Sequence, residues 1–119
     1  MAGILPRAIA LLAHDPSELL VALGPHIRVE AFEIGEEVAA EMAKAARGRP
    51  VVRRSSAKPH GDLAALIRLQ LRDAGVPQEA IDDVGGCTSN DAAQFFSHRR
   101  ERGKTGRHLS AIVARASRR

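Results

Sequence analysis

Tryptophan and tyrosine are absent from this sequence, and Phe32, Phe95 and Phe96 supply all of its aromatic rings apart from histidine. The core must therefore be built from alanine, leucine, isoleucine and valine, with little volume per side chain. A single-strand nucleic-acid platform stacks successive bases on several aromatics along a basic groove, and three phenylalanines are too few for one. Cysteine occurs once, at Cys87; an internal disulfide is excluded, and nothing points to an oxidising compartment. Long apolar runs are also missing. The opening MAGILPRAIALLAHD is broken by Pro6, Arg7 and His14, well short of a membrane span. It lacks the basic leader and small-residue cleavage site of a signal peptide. The expectation is a cytoplasmic protein with neither a membrane nor a nucleic acid as partner.

The chain has 119 residues, enough for one domain with a hydrophobic core. Its basic residues outnumber the acidic ones 18 to 14, a formal charge of +4. Part of that excess lies in the terminal RASRR, Arg115–Arg119, which reads as a frayed, solvated end. A mild basic balance favours anionic partners such as phosphate esters and nucleotides.

Periodicity predicts alternating helices and strands, hence a mixed α/β fold. Leu5, Ala8, Ile9 and Leu12 share one helical face, and Pro6 falls in the first turn, where a missing N–H does no harm. Asp15-Pro16-Ser17-Glu18 reads as a capped turn before Leu19–Leu23, an apolar run ended by Gly24-Pro25 and read as a buried strand. Ile34, Val38, Met42 and Ala45 mark a second helix over about 35–46. A short strand is expected within Arg49–Ser56. Asp62 caps a third helix whose Leu63, Leu66, Ile67, Leu71 and Ala74 share a face, and Gly75 ends it. Glu79–Gly86 reads as a short strand with a Gly-Gly exit. Asp91 and Gln94 resemble a capping pair for one helical turn before Phe95. Phe96–Arg100 and Arg107–Ala114 are expected to pair as a hairpin across Glu101–Gly106. Alternation along that first limb would send Phe96 to the core and Arg99 to a polar surface or cleft.

Few motifs carry chemistry. The spacings from Cys87 to His98 and on to His108 match no zinc finger or knuckle, and no His-x-x-x-His occurs. Cys87 follows two glycines, a place where a thiol can be exposed, but a nucleophile needs a base within reach, and a small buried cysteine is the commoner case. Gly103-Lys104-Thr105-Gly106-Arg107 resembles the tail of a phosphate loop without its leading glycine. The informative stretch is FFSHRRERGKTGRHLS, residues 95–110. Arginine forks suit phosphate and carboxylate, and a phenylalanine beside them suits the wall of a base or sugar pocket. An ordinary charged hairpin accounts for the same residues.

A resemblance adds to this reading. GGCTSNDAAQFFSHRRERGKTGRHLSAI (residues 85–112) resembles the C-terminal signature of the YfiH-like, laccase-domain family, in which Cys-Thr precedes a Phe-Ser-aromatic-Arg-Arg stretch and a Thr-Gly-Arg turn. GPHIRVEAFEIGEEV (24–38) is similar to that family's middle motif, and GDLAALIRLQLRDAGV (61–76) to its intervening helix. Order and spacing agree along essentially the whole chain. Phe32 and His98 stand where tyrosine is common, and His26 and Glu30 also depart from the usual pattern.

The resemblance implies a layered α/β/β/α-type sandwich, here as an incomplete, C-terminal half spanning 1–119. It implies purine nucleoside phosphorylase chemistry on adenosine, inosine and methylthioadenosine, with adenosine deaminase activity; older family labels are polyphenol oxidase and peptidoglycan editing factor. It implies a metal, zinc or copper, held in complete members by two His and one Cys within Asn-Ala-Asp-Cys and His-Ala-Gly-Trp-Arg-Gly motifs. Neither motif occurs in this sequence, so no metal is expected on this chain alone, and Cys87 is not the liganding cysteine. On side-chain chemistry, Arg99 and Arg100 are the candidates to hold an anion, Phe96 to line a nucleoside pocket, and Arg107, with Thr105, to fix the turn. The partners expected for the complete enzyme are a purine nucleoside and phosphate. The chain alone is expected to be inactive. The alternative is a non-catalytic remnant or interaction module that pairs with a missing N-terminal half or with itself.

Overall fold

The computed structural model describes residues 3–12 and 15–115. Most of the terminal RASRR, and His14, lie outside them. Seven elements follow in order: α1 (Ile4–Leu11), β1 (Val21–Leu23), α2 (Glu36–Ala45), β2 (Val52–Arg53), β3 (His60–Gly61), α3 (Leu63–Asp73) and β4 (Ile81–Asp83). β1 and β4 run parallel, pairing Val21 with Ile81 and Leu23 with Asp83. β2 and β3 are antiparallel, with Val52 opposite Gly61. β3 is held on its other side too, since Gly61 N–H donates to Phe32 O and Ile34 N–H to Pro59 O, each at 2.9 Å.

The helices begin and end for local reasons. Asp15 Oδ1 accepts from Ser17 N–H and starts a single 3-10 turn, Pro16–Glu18. Glu36 and Glu37 open α2 and Lys44 lies in its last turn, charges that complement the helix dipole. Asp62 Oδ1 accepts from Ala65 N–H at 3.0 Å to start α3. At its end Gly75 turns through a φ of 99°, and Val76 N–H reaches Leu71 O at 3.0 Å, a Schellman closure that needs the glycine. Asp62→Ala is expected to cost about 1 kcal/mol, read as a lower urea midpoint at unchanged m-value.

Burial divides into two apolar clusters. Ile34, Ala39, Met42, Ala46, Val51 and Leu66 form one, with Phe32 packed on it. Ile9, Leu23, Leu71, Val76 and Ile81 form the other. α3 contributes to both, through Leu66 and Leu71. Gly61 sits so tightly under the first cluster that a Cβ there would lie 2.8 Å from Met42 Sδ and 3.1 Å from the Phe32 ring. No helix among the described residues is long and apolar enough to cross a membrane.

Two expectations fail. Leu19–Leu23 is not a buried strand throughout: β1 is only three residues, and Leu20 is 81% exposed. The hairpin is absent as well. Ser97 is buried, and its hydroxyl accepts from Arg100 N–H at 3.2 Å while its carbonyl accepts from Glu101 N–H at 3.0 Å. A serine used in this way caps a tight turn, and the chain continues in turns through Arg102 and Gly103, both at positive φ. Residues 104–115 adopt no strand. The inward position that alternation assigned to Phe96 goes to Ser97, and Phe96 is half exposed.

Candidate functional site

The 95–108 stretch folds around its two phenylalanines, each seated on a glycine. A Cβ at Gly86 would fall 2.8 Å from the Phe95 ring, and one at Gly106 2.6 Å from that of Phe96. His108 closes the group. Its ring meets Phe95 edge-on, with centroids 5.9 Å apart, and lies tilted over Phe96 at 5.6 Å. Its Nε2 accepts from Phe96 N–H at 3.0 Å. The sequence offers His108 only as a metal-spacing candidate and Gly86 and Gly106 only as turn residues; nothing in their spacing links them to the Phe-Phe pair.

The four candidate residues part company here. Arg100 is turned inward: Nη1 donates to Thr88 O at 2.7 Å and Ser89 O at 3.1 Å, while Nη2 donates to Phe95 O at 2.7 Å and Glu101 Oε1 at 2.9 Å. Both terminal nitrogens are thus engaged within the protein, and the side chain clamps the 88–101 loop. Arg99 faces the other way. It lies over the Phe32 ring at 5.4 Å, a cation–π distance, and spends one Nη1 bond of 2.8 Å on Glu33 O. The Arg99 side chain borders a cleft of about 330 Å³ lined also by Phe32, Glu33, Ile34, Gly35, Val38 and Lys58. Lys58 pairs with Glu33 at 3.2 Å on the same rim. Phe96 and Arg107 are exposed and do not line this cleft.

A third arrangement joins the middle of the chain to its end. Arg28 forms a fork with Asp83, at 2.6 and 2.7 Å, and its Nε donates to Gly86 O at 2.8 Å. The fork outweighs the opposing effect of partial burial and, with Gly85 N–H adding to it, holds the Asp83 carboxyl well below the usual carboxylate range. Arg28 N–H also donates to Cys87 Sγ at 3.4 Å. Burial acts to raise the Cys87 thiol, but the N–H groups of Arg28, Asn90 and Ser89 and the Arg28 charge prevail, leaving it below its ordinary value. No imidazole or carboxylate among the described residues bonds to this thiol, so the base a nucleophile needs is not in place.

The donor set of the described residues does not fit a metal ion. Among the described residues no three His, Cys, Asp or Glu side chains converge where an ion could sit. Three imidazoles are used separately: His26 on Gly24 O, His60 beside Ser56 and Lys58 O, and His108 on Phe96.

A mixed helix-and-strand domain with a middle segment, 26–34, drawn against an arginine-rich C-terminal loop defines a small α/β class of protein. Residues 1–115 match the family described as multi-copper polyphenol oxidoreductase laccase; the chain belongs to that family. A purine nucleoside phosphorylase of Pseudomonas aeruginosa is 37% identical over 114 residues, covering 93% of this chain and 46% of that protein. Purine nucleoside phosphorylase YlmD of Bacillus subtilis is 35% identical over 104 residues, covering 82% and 36%. Among solved structures, YlmD from Geobacillus stearothermophilus superposes with a TM-score of 0.79 at 34% identity, over 87% of this chain and 41% of that one. The Bacillus licheniformis protein YfiH gives 0.73 at 27% identity, over 87% and 42%. The chain thus spans less than half the length of these relatives.

Proposed function

We propose that this chain forms the C-terminal part of a purine nucleoside phosphorylase site, in a protein of the cytoplasm. Phosphorolysis brings a phosphate oxygen to C1′ of the ribose as the C1′–N9 bond breaks, giving ribose 1-phosphate and the free purine. Adenosine, inosine and methylthioadenosine are the substrates proposed, with adenosine deamination as a second activity. The observation that carries the reading is Arg99, whose guanidinium lies on Phe32 and makes one bond to Glu33 O at the border of a cleft that Lys58 and Glu33 also line. Charge and fixed position are what a phosphate site needs from the protein. The phosphorylase names of the relatives support the same reading. Arg100 is assigned to holding the loop, and Phe96 and Arg107 to the side of the site completed by the rest of the domain. The metal, zinc or copper, belongs to that remainder, and the chain alone is expected to release no base.

In a complete domain made by joining this chain to the unmatched portion of the Pseudomonas aeruginosa relative, Arg99→Gln is expected to raise the KM for phosphate about tenfold, the loss of one charge-assisted hydrogen bond. Initial rates of hypoxanthine release from inosine read it. An unchanged KM removes Arg99 from the phosphate site. A second reading, a non-catalytic interaction module, is favoured by the lack of converging metal ligands among the described residues. It requires that the completed domain show no phosphate-dependent release at all.

A further inference from the structure

We propose that the cleft between α3 and residues 49–50 binds a small phosphate ester with a flat apolar body, the chemistry of a nucleoside monophosphate. This cleft shares no lining residue with the one that Arg99 borders, and the inference does not depend on the phosphorolysis reading.

Much of its floor and most of its charge come from one stripe of α3. Ala65, Arg68, Leu69 and Arg72 fall at i, i+3, i+4 and i+7 within that helix, so they share a face. Ala65 and Leu69 rest on the first apolar cluster, and with Pro50 they line a hollow of about 320 Å³. Ligand pockets run from about 300 to 1,000 Å³, so this one has room for a ring system and a head group and little more. Arg49, Arg68 and Arg72 also line it, and among the described residues no carboxylate does. Glu79, next to the lining residue Gln78, stays outside.

The three arginines differ in what they can offer. Arg49 is fixed: its Nε donates to Ala46 O at 2.9 Å, and Nη1 and Nη2 fork onto Asp73. With that edge spent, a guest meets chiefly the guanidinium plane, which suits stacking on a flat ring. Arg68 has only a long contact of 4.0 Å to Asp83, whose oxygens Arg28 already holds at 2.6 and 2.7 Å. The Arg72 guanidinium makes no hydrogen bond or ion pair among the described residues, and its neighbour Asp73 is committed to Arg49. Two guanidinium groups one helical turn apart, neither with a carboxylate of its own, match a phosphate monoester, which carries close to two charges. A bare phosphate would leave the apolar floor uncovered, and a long acyl chain would exceed the volume. The Gln78 amide, also in the lining, supplies a donor and an acceptor for the edge of a base.

Isothermal titration of the 119-residue chain with AMP tests this. Saturable binding is expected, at least about tenfold tighter than that of inorganic phosphate or of adenosine. Arg72→Gln and Arg68→Gln are each expected to weaken AMP about tenfold, the loss of one charge-assisted contact. Arg102→Gln, which removes an exposed charge elsewhere, should leave the affinity unchanged. Far-UV circular dichroism of each variant separates lost binding from lost fold. If the chain alone gives no helical signal, the same titrations on the completed domain described above are read in the same way. AMP binding lost with Arg99→Gln and kept with Arg72→Gln would put the nucleotide in the other cleft and overturn the proposal, leaving the phosphorolysis reading intact. Phosphate or adenosine binding as tightly as AMP also overturns it, as does equal weakening by Arg102→Gln, or a folded protein that takes up no AMP.

Discussion

Met42→Ala should lower stability by about 2–5 kcal/mol, the range for emptying a fully buried long side chain, and so consume much of the reserve of a domain this small. Met42 is 0% exposed and lies at the centre of the first apolar cluster. Its effect should not add to that of its neighbour. Gly61→Ala on its own is expected to cost about 1–3 kcal/mol through overpacking, because the new Cβ would meet Met42 Sδ at 2.8 Å. With Met42 already shortened, that contact is gone, and the added methyl fills part of the vacated space. A double-mutant cycle by urea unfolding at 25 °C should therefore give a coupling energy of about 1 kcal/mol or more, of the sign that makes the pair less damaging than the sum. Simple additivity would mean that the Phe32 ring, 3.1 Å away, sets the clash instead.

Removing the carboxylate at Asp83 should cost about 1.5–3 kcal/mol at pH 7, the scale for hydrogen bonds to charged groups. The pair is well shielded, with side-chain exposures of 23% for Arg28 and 21% for Asp83, so solvent screens it less than a surface pair. The sign of the pH dependence follows from the depressed pKa of Asp83. Asp83 is a stronger acid folded than unfolded; its contribution is complete above the unfolded value near 4 and is lost as pH falls from there toward the folded value. Wild type and Asp83→Ala should differ most at neutral pH and converge in acid. Unfolding midpoints at pH 7 and pH 3 test this, and parallel curves would place the stabilisation elsewhere. Because Arg28 also holds Gly86 O, the same variant should loosen the seat of Phe95.

The helices of this domain could be read directly from sequence because their signals are local. Asp62 and Gly75 bracket α3, and Val38, Met42 and Ala45 lie on α2 with Ile34 just before its start, though Val38 itself turns to solvent. The C-terminal loop could not be read this way. Residues that alternate like a strand instead form a turn, because one hydroxyl, at Ser97, satisfies the N–H that a strand partner would have taken. Among the candidate site residues, two adjacent arginines of identical chemistry have opposite fates. Arg100 meets three carbonyls contributed by a loop up to twelve residues away, and Arg99 meets Phe32 and Glu33 from the middle of the chain. No spacing rule links residues 28 and 83, or 33 and 99. Such pairings arise only once α2, β3 and α3 have brought the segments together. The family resemblance was legible for a different reason, since it depends on the order of short motifs and not on which way their side chains turn.

α3 reaches both apolar clusters, and this links two regions that otherwise share little. Leu66 lies behind the Phe32 end, where Arg99 borders its cleft, and Leu71 lies beneath β1 and β4 with Leu23 and Ile81. Local opening of one helix would loosen both at once. A ligand that fills the cleft and steadies Leu66 would, through that shared helix, also slow the opening of the second cluster.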